Sequence, residues 1–209
     1  MKFFSKHKYG FAFGLALLGG TACENVADLN VDPNNPTEVP ASNLMTQAQY
    51  TLNNTLWSRG YNAEWTMLCV QHWAQNEYAE ESRYTVDGNN FNTQWSNFYA
   101  GVLNELKVAS EMIMEDENML ESVRANQLAI LEILRVQTFH SLVDAYGDIP
   151  YTQALDGVTY PLPAYDTQQS IYMDLLASLD AAVASIDEAG SSFGGADLIY
   201  GGDMTMWRK

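Results

Sequence analysis

The run RVQTFHSLVDAYGDIP, Arg135 to Pro150, closes a long periodic segment and then stops it. Leu128, Leu131, Leu134, Thr138 and Leu142 recur at the i, i+3, i+4 spacing of a helix with one buried face. Gly147 supplies a residue without a Cβ where a helix end turns left-handed, and Pro150 cannot extend a helix. The spacing predicts a long buried helix from about Ser122, a tight exit and an extended segment. Within it Arg135, His140 and Asp144 are read as structural, with His140 a packed or hydrogen-bonded core histidine.

Working backward, a short acidic connection around Asn118 separates this helix from another. The earlier one is expected over about Phe91 to Glu117, with Phe91, Trp95, Phe98, Val102, Leu106, Ala109 and Ile113 as its buried stripe. So short a link makes the two antiparallel neighbours, an αα-hairpin. Upstream, Ser42 is read as the N-cap of a helix from about 43 to 57, ended by Gly60. A further helix is expected from Asn62 to about Tyr78, with Trp65, Leu68, Cys69 and Trp73 on or near one face. Cys69 is expected to be a buried free thiol. Asp87-Gly88-Asn89-Asn90 is a turn signal.

Working forward, residues 153–166 hold Asp156-Gly157 and Pro161-Leu162-Pro163, a loop with room for a short β-hairpin. Asp166 or Thr167 caps a last full helix carrying Ile171, Leu175, Leu179, Ala182 or Val183, and Ile186, with Gly190 at its end. Residues 191–203 are rich in Gly and Ser and are expected to be mobile. Met206-Trp207-Arg208-Lys209 looks like the first turn of a further helix.

The first residues carry an address. Lys2, Lys6 and Lys8 precede the apolar run FAFGLALL, Phe11 to Leu18, which is too short to span a bilayer. Gly19, Gly20, Thr21 and Ala22 lead to Cys23. This order resembles a bacterial lipoprotein signal over residues 1–22, with Cys23 acylated. Ordinary secretory cleavage near Ala22 is the alternative, and Gly20 stands where a lipoprotein signal usually has Leu. Residues 23–40 form an Asp-, Asn- and Pro-rich tether. Asp28, Asn30 and Asp32 open like a calcium loop, but Pro33 and Val39 occupy the positions that need Gly and Glu, which excludes an EF-hand.

Composition bounds the rest. The chain has 209 residues, 47% of them hydrophobic, enough for one packed domain over 41–209. Ten basic against 26 acidic residues give a net charge of −16, which argues against nucleic acid as a partner. No HExxH, GxSxG, P-loop or GxGxxG occurs, so no catalytic residue, cofactor or metal is assigned.

Four segments in order resemble the N-terminal part of the SusD/RagB family. They are the signal through Cys23, Asp32-Pro33-Asn34-Asn35-Pro36-Thr37, the run Arg135 to Pro150, and Pro163 to Tyr172 with the helix after it. Asp197 to Lys209 is similar to the stretch leading into the family's next helix. Family members are much longer, so the chain is expected to be C-terminally truncated. The resemblance implies an all-α fold of TPR-like helix hairpins with long loops. It also implies a lipid-anchored outer-membrane protein, facing the cell surface, that captures oligosaccharide or peptide without chemistry. The partner implied is a SusC-like TonB-dependent transporter. A helical-repeat interaction lipoprotein without a small ligand is the alternative. Aromatic rings stack on sugars and amides bond hydroxyls, so Trp73, Gln75, Asn76, Tyr78, Arg83 and Tyr84 are the candidate ligand contacts. Trp73 reads equally as a core residue of its helix, and Trp95 as core.

Overall fold

The computed structural model describes residues 39–85 and 91–209. The signal, Cys23, the Asp28–Asp32 run and the Asp87–Asn90 turn lie outside the described residues. Everything below belongs to the unit Pro40–Lys209.

Helix α1 runs Ala41–Leu56, its first turn following Pro40 rather than a side-chain cap. Ser42 therefore lies inside the helix, and its carbonyl accepts from the Thr46 hydroxyl at 2.9 Å. After Ser58 comes a π-helix, Arg59–Met67, which starts with the Ser58 hydroxyl accepting from Tyr61 N–H. Helix α1 ends ahead of Gly60, as expected, but Gly60 itself lies within this π-helix. The helix expected to reach Tyr78 stops at Met67 and gives way to turns, because Gln71 adopts a left-handed φ of 60°. A single 3-10 turn, Glu81–Arg83, follows.

Helix α2, Asn92–Phe98, passes through a second π-helix, Tyr99–Leu103, into α3, Asn104–Glu115. Helix α4 spans Glu121–Tyr146. The antiparallel hairpin is visible at both ends. Tyr146 donates to the Phe91 carbonyl at 2.7 Å, and Arg124 donates to the Asp116 carbonyl at 2.6 Å. Phe98, Val102, Leu106, Ala109 and Ile113 are buried as their spacing requires, and half-buried Trp95 packs edge-on against Tyr146.

Helix α4 is buried on more than one face, because it packs against α3 and also against α5, Gln168–Ser185. Asn126 near the start of α4 accepts from Asp187 N–H at 2.9 Å, just beyond the end of α5, so this pair is antiparallel too. Between them Arg135 donates to Glu132 at 2.7 Å and to the Tyr151 hydroxyl at 3.2 Å, and it stacks over Phe139 and Tyr151. Half-buried and fully engaged, it is a structural cation. His140 departs from expectation. Its side chain is 47% exposed, 3.4 Å from Asp144, with Tyr172 edge-on.

Gly147 ends α4 at φ 76°, its N–H bonding Val143 O at 2.9 Å. The following loop forms no hairpin. Among the described residues, Ile149 and Asp166 make one isolated antiparallel bridge. The Asp166 carboxylate accepts from the N–H groups of Tyr151 and Thr152, which satisfies the backbone that a second strand would otherwise pair. Thr167 caps α5 through Ser170 N–H, and α5 ends at Ser185, ahead of Gly190.

The Gly- and Ser-rich segment is anchored. It contains a 3-10 turn, Gly194–Ala196, and leads to α6, Met204–Trp207. Asp197, 3% exposed, accepts from Gln49 Nε2 at 2.8 Å, Trp207 Nε1 at 2.7 Å and Gly202 N at 2.9 Å. Gln49 returns a bond, its Oε1 accepting from Leu198 N at 2.7 Å. Burial alone would raise the Asp197 pKa, but the bonds from Trp207, Gln49, Gly202 and Ile199 outweigh it and hold the carboxyl below its ordinary value. Among the described residues, no helix is long and apolar enough to cross a membrane.

Candidate functional site

The π-helix Arg59–Met67 and the turns after it form one wall-and-floor arrangement. A π turn carries more than four residues, so side chains five apart align where those of an α-helix diverge. Arg59 thus reaches Glu64 at 2.6 Å, with Glu64 largely covered and Arg59 exposed. Beyond Leu68 the chain folds back and leaves a groove of about 380 Å³. Arg59, Ala63, Glu64 and Leu68 line one side; Trp73 to Tyr78 line the other.

Four of the six residues singled out by sequence, Trp73, Gln75, Asn76 and Tyr78, are brought together there. Trp73 is not a core residue. It is 55% exposed, and Tyr78 is 79% exposed. Both rings are open to solvent. Gln75 is already engaged. Its amide donates to Glu81 at 2.9 Å and accepts from the Ser82 N–H at 3.2 Å, while its own N–H bonds the Ser82 hydroxyl at 3.1 Å. That ladder pins the turn across to Glu81–Arg83. Arg83 is exposed on this 3-10 turn and does not line the groove. Tyr84 also lies outside it, donating to the Cys69 carbonyl at 2.9 Å while accepting from Gln71 at 3.2 Å.

Cys69 is exposed rather than buried, because the helix that would have turned it inward has ended. Gln71, Tyr78 and Tyr84 all adopt left-handed φ, at 60°, 49° and 59°. Each costs roughly 1–2 kcal/mol relative to ordinary backbone, so the turn is held by its hydrogen bonds in a shape it would not choose alone. Sequence reading missed Arg59 and Glu64. A charge pair five apart has no meaning on an α-helix, and nothing in the composition marks a π turn.

Two carboxylates, Glu64 and Glu77, border the groove, and Glu64 is held by Arg59. Among the described residues no cluster of His, Cys, Asp and Glu could hold a metal ion. The arrangement offers flat apolar faces, amides and one fixed ion pair. These are the elements of recognition of a neutral, hydroxyl-bearing ring.

The SusD-like family, described as starch-binding and associating with the outer membrane, matches residues 33–209. A solved chitin-binding protein is similar over 81% of this chain and 36% of its own, with 27% identity and a TM-score of 0.65. A SusD/RagB family protein from Bacteroides thetaiotaomicron is similar over 82% of this chain and 36% of its own, at 19% identity and TM-score 0.62. A SusD homologue from Parabacteroides distasonis is similar over 80% and 32%, at 18% identity and TM-score 0.64. The last two speak to the fold alone. The chain spans about a third of the length of these solved proteins. No curated protein matches the sequence.

Proposed function

The chain belongs to the SusD-like family of starch-binding proteins associated with the outer membrane, and from that premise we propose that it captures a neutral oligosaccharide in the Trp73–Tyr78 groove. One observation carries the reading: Trp73 and Tyr78, two large rings that folding would ordinarily bury, are exposed on one groove beside Asn76. Sugar rings present C–H faces that stack on such surfaces, and a few placed polar groups then fix orientation. In this reading Trp73 and Tyr78 stack, Asn76 bonds hydroxyls, and Gln75 sets the turn. Arg83 and Tyr84 form a rim reached only by a longer ligand. Binding proceeds without bond breaking.

The proposal extends to the cell. Acylated Cys23 anchors the chain to the outer membrane, facing the surface, and the ligand passes to a SusC-like TonB-dependent transporter. Labelling with radioactive palmitate, lost in Cys23→Ser, tests the anchor. For the groove, the full chain is run in affinity gels and titrated with maltohexaose and N-acetylchitohexaose. Trp73→Ala with Tyr78→Ala is expected to weaken binding at least about tenfold, about 1.4 kcal/mol, with folding unchanged. Undiminished binding in that variant would reject the groove. Retention by no polysaccharide, together with copurification of a transporter, would favour an interaction protein without a small ligand.

A further inference from the structure

The second π-helix, Tyr99–Leu103, borders a separate groove of about 390 Å³. Its other wall is the loop after Pro150. Tyr99, Asn104, Gln153, Asp156, Tyr160 and Pro161 are among the residues that line it. The two grooves share a plan: in each, a π-helix meets a turn held in left-handed backbone. Here the strained residue is Leu155, at φ 64°. π-helices and strained non-glycine backbone both concentrate at binding sites, because each is retained against a preference for ordinary helix or loop.

The loop is built before any ligand arrives. Lys107 Nζ donates to the Leu155 carbonyl at 2.9 Å, Tyr160 N–H to the Asp156 carbonyl at 2.8 Å, and Ala164 N–H to Gln153 Oε1 at 2.8 Å. Tyr99 is fixed as a floor by its bond to the Pro150 carbonyl at 2.6 Å. What remains unengaged is specific. Tyr160 exposes 40% of its surface, the Gln153 amide nitrogen keeps its donors, and the Asn104 amide makes no hydrogen bond within the described chain. Asp156 accepts from Thr159 N–H at 3.0 Å, with the Thr159 hydroxyl and Val158 N–H also bonding its carboxylate, which still has room for one more donor.

We propose that this groove is a second binding site for a neutral oligosaccharide, with Tyr160 as the stacking face, Asn104 and Gln153 as hydroxyl partners and Asp156 as an acceptor. An anion is disfavoured. Asp156 stands in the groove, the chain carries −16, and Lys107, the nearby cation, is tied to Leu155 and lies 3.5 Å from Glu111. A proline-rich peptide is disfavoured as well, since such ligands need several parallel aromatic ridges and this groove has one exposed ring. The inference does not rest on the reading of the first groove.

The test uses the full chain in four forms: wild type, Trp73→Ala with Tyr78→Ala, Tyr160→Ala with Asn104→Ala, and all four substitutions together. Each is titrated with maltohexaose, N-acetylchitohexaose and a proline-rich decapeptide, with thermal melting to confirm folding. Tyr160 and Asn104 are exposed, so their loss leaves the core intact. The expected result is a weaker, residual saccharide binding in the Trp73/Tyr78 variant that falls a further threefold to tenfold, roughly, when Tyr160→Ala and Asn104→Ala are added. Saccharide binding that disappears entirely with Trp73 and Tyr78, or is indifferent to Tyr160 and Asn104, overturns the second site and leaves the first standing. Binding lost only with Tyr160 and Asn104 does the reverse. Capture of the peptide but neither saccharide overturns the ligand class, and a wild type that binds nothing overturns both grooves.

Discussion

Asp197→Ala should cost this protein several kcal/mol. The carboxylate accepts two bonds from buried side chains, Gln49 Nε2 at 2.8 Å and Trp207 Nε1 at 2.7 Å, and others from turn backbone at Ile199 and Gly202. Water can reach the turn. It cannot readily reach Gln49, fully buried, or Trp207, 7% exposed. Each buried donor left without an acceptor costs about 1–3 kcal/mol, so the pair totals about 2–6 kcal/mol. Removing the carboxylate's own desolvation returns part of that, and about 3 kcal/mol is expected. For a chain of this size that lowers Tm by about 6–12 °C. Asp197→Asn keeps one acceptor oxygen and should cost about 1–2 kcal/mol. The sign with pH follows from the depressed folded-state pKa. The stabilisation is complete above the unfolded carboxyl pKa, near 3.9, and is lost as pH falls through the lower folded value. The assay is urea denaturation of wild type and Asp197→Asn from pH 7 downward. The gap between them should be constant at pH 5–7 and close below pH 4. A loss under 1 kcal/mol in Asp197→Ala, or a gap that ignores pH, would refute the hub.

Gly147→Ala meets no atom within 4 Å, so its cost is purely conformational, about 1–3 kcal/mol for a backbone at φ 76° and ψ −124°, readable as a shift in urea midpoint with unchanged slope. Native protein treated with a maleimide should be modified at Cys69 within minutes without denaturant, as located by peptide mass spectrometry; protection until unfolding would show the thiol to be buried. Burial pushes the hydroxyls of Tyr146 and Tyr151 up to about 12, so they hold their protons past the unfolded value near 10. Their contribution to stability is therefore full below pH 10 and lost as pH rises toward 12, and ultraviolet titration should show tyrosines ionising late in native protein only.

The parts legible in the sequence are those fixed by neighbours along the chain. Leu131, Leu134, Thr138 and Leu142 announce α4 by spacing, and Gly147 and Pro150 announce its exit by backbone chemistry. Trp73, Asn76 and Tyr78 stand out by residue type in a polar run, and they line one groove. What stayed hidden depends on distant residues or on uncommon backbone. Neither the π turn nor the left-handed Gln71 after it carries a compositional mark, so apolar spacing alone extends the helix through Trp73 and turns Cys69 inward. His140 stands on a helix buried on several sides, yet its own position faces outward beside Asp144. The Gly- and Ser-rich segment around Gly194 reads as mobile because the residue that anchors it, Gln49, lies far away along the chain in α1.

That last pairing has a kinetic consequence. Gln49 and Asp197 are 148 residues apart in sequence, and contacts of such separation form late because a long loop must close before they contribute. As the chain emerges from synthesis, α1 appears early with a polar amide on the face it will bury. Until Asp197 follows, that face can pack on α3 but leaves Gln49 to water. Helix α1 is therefore made early and finished late, and the interval between is when its apolar residues, Met45 and Leu52, are most open to the wrong partner.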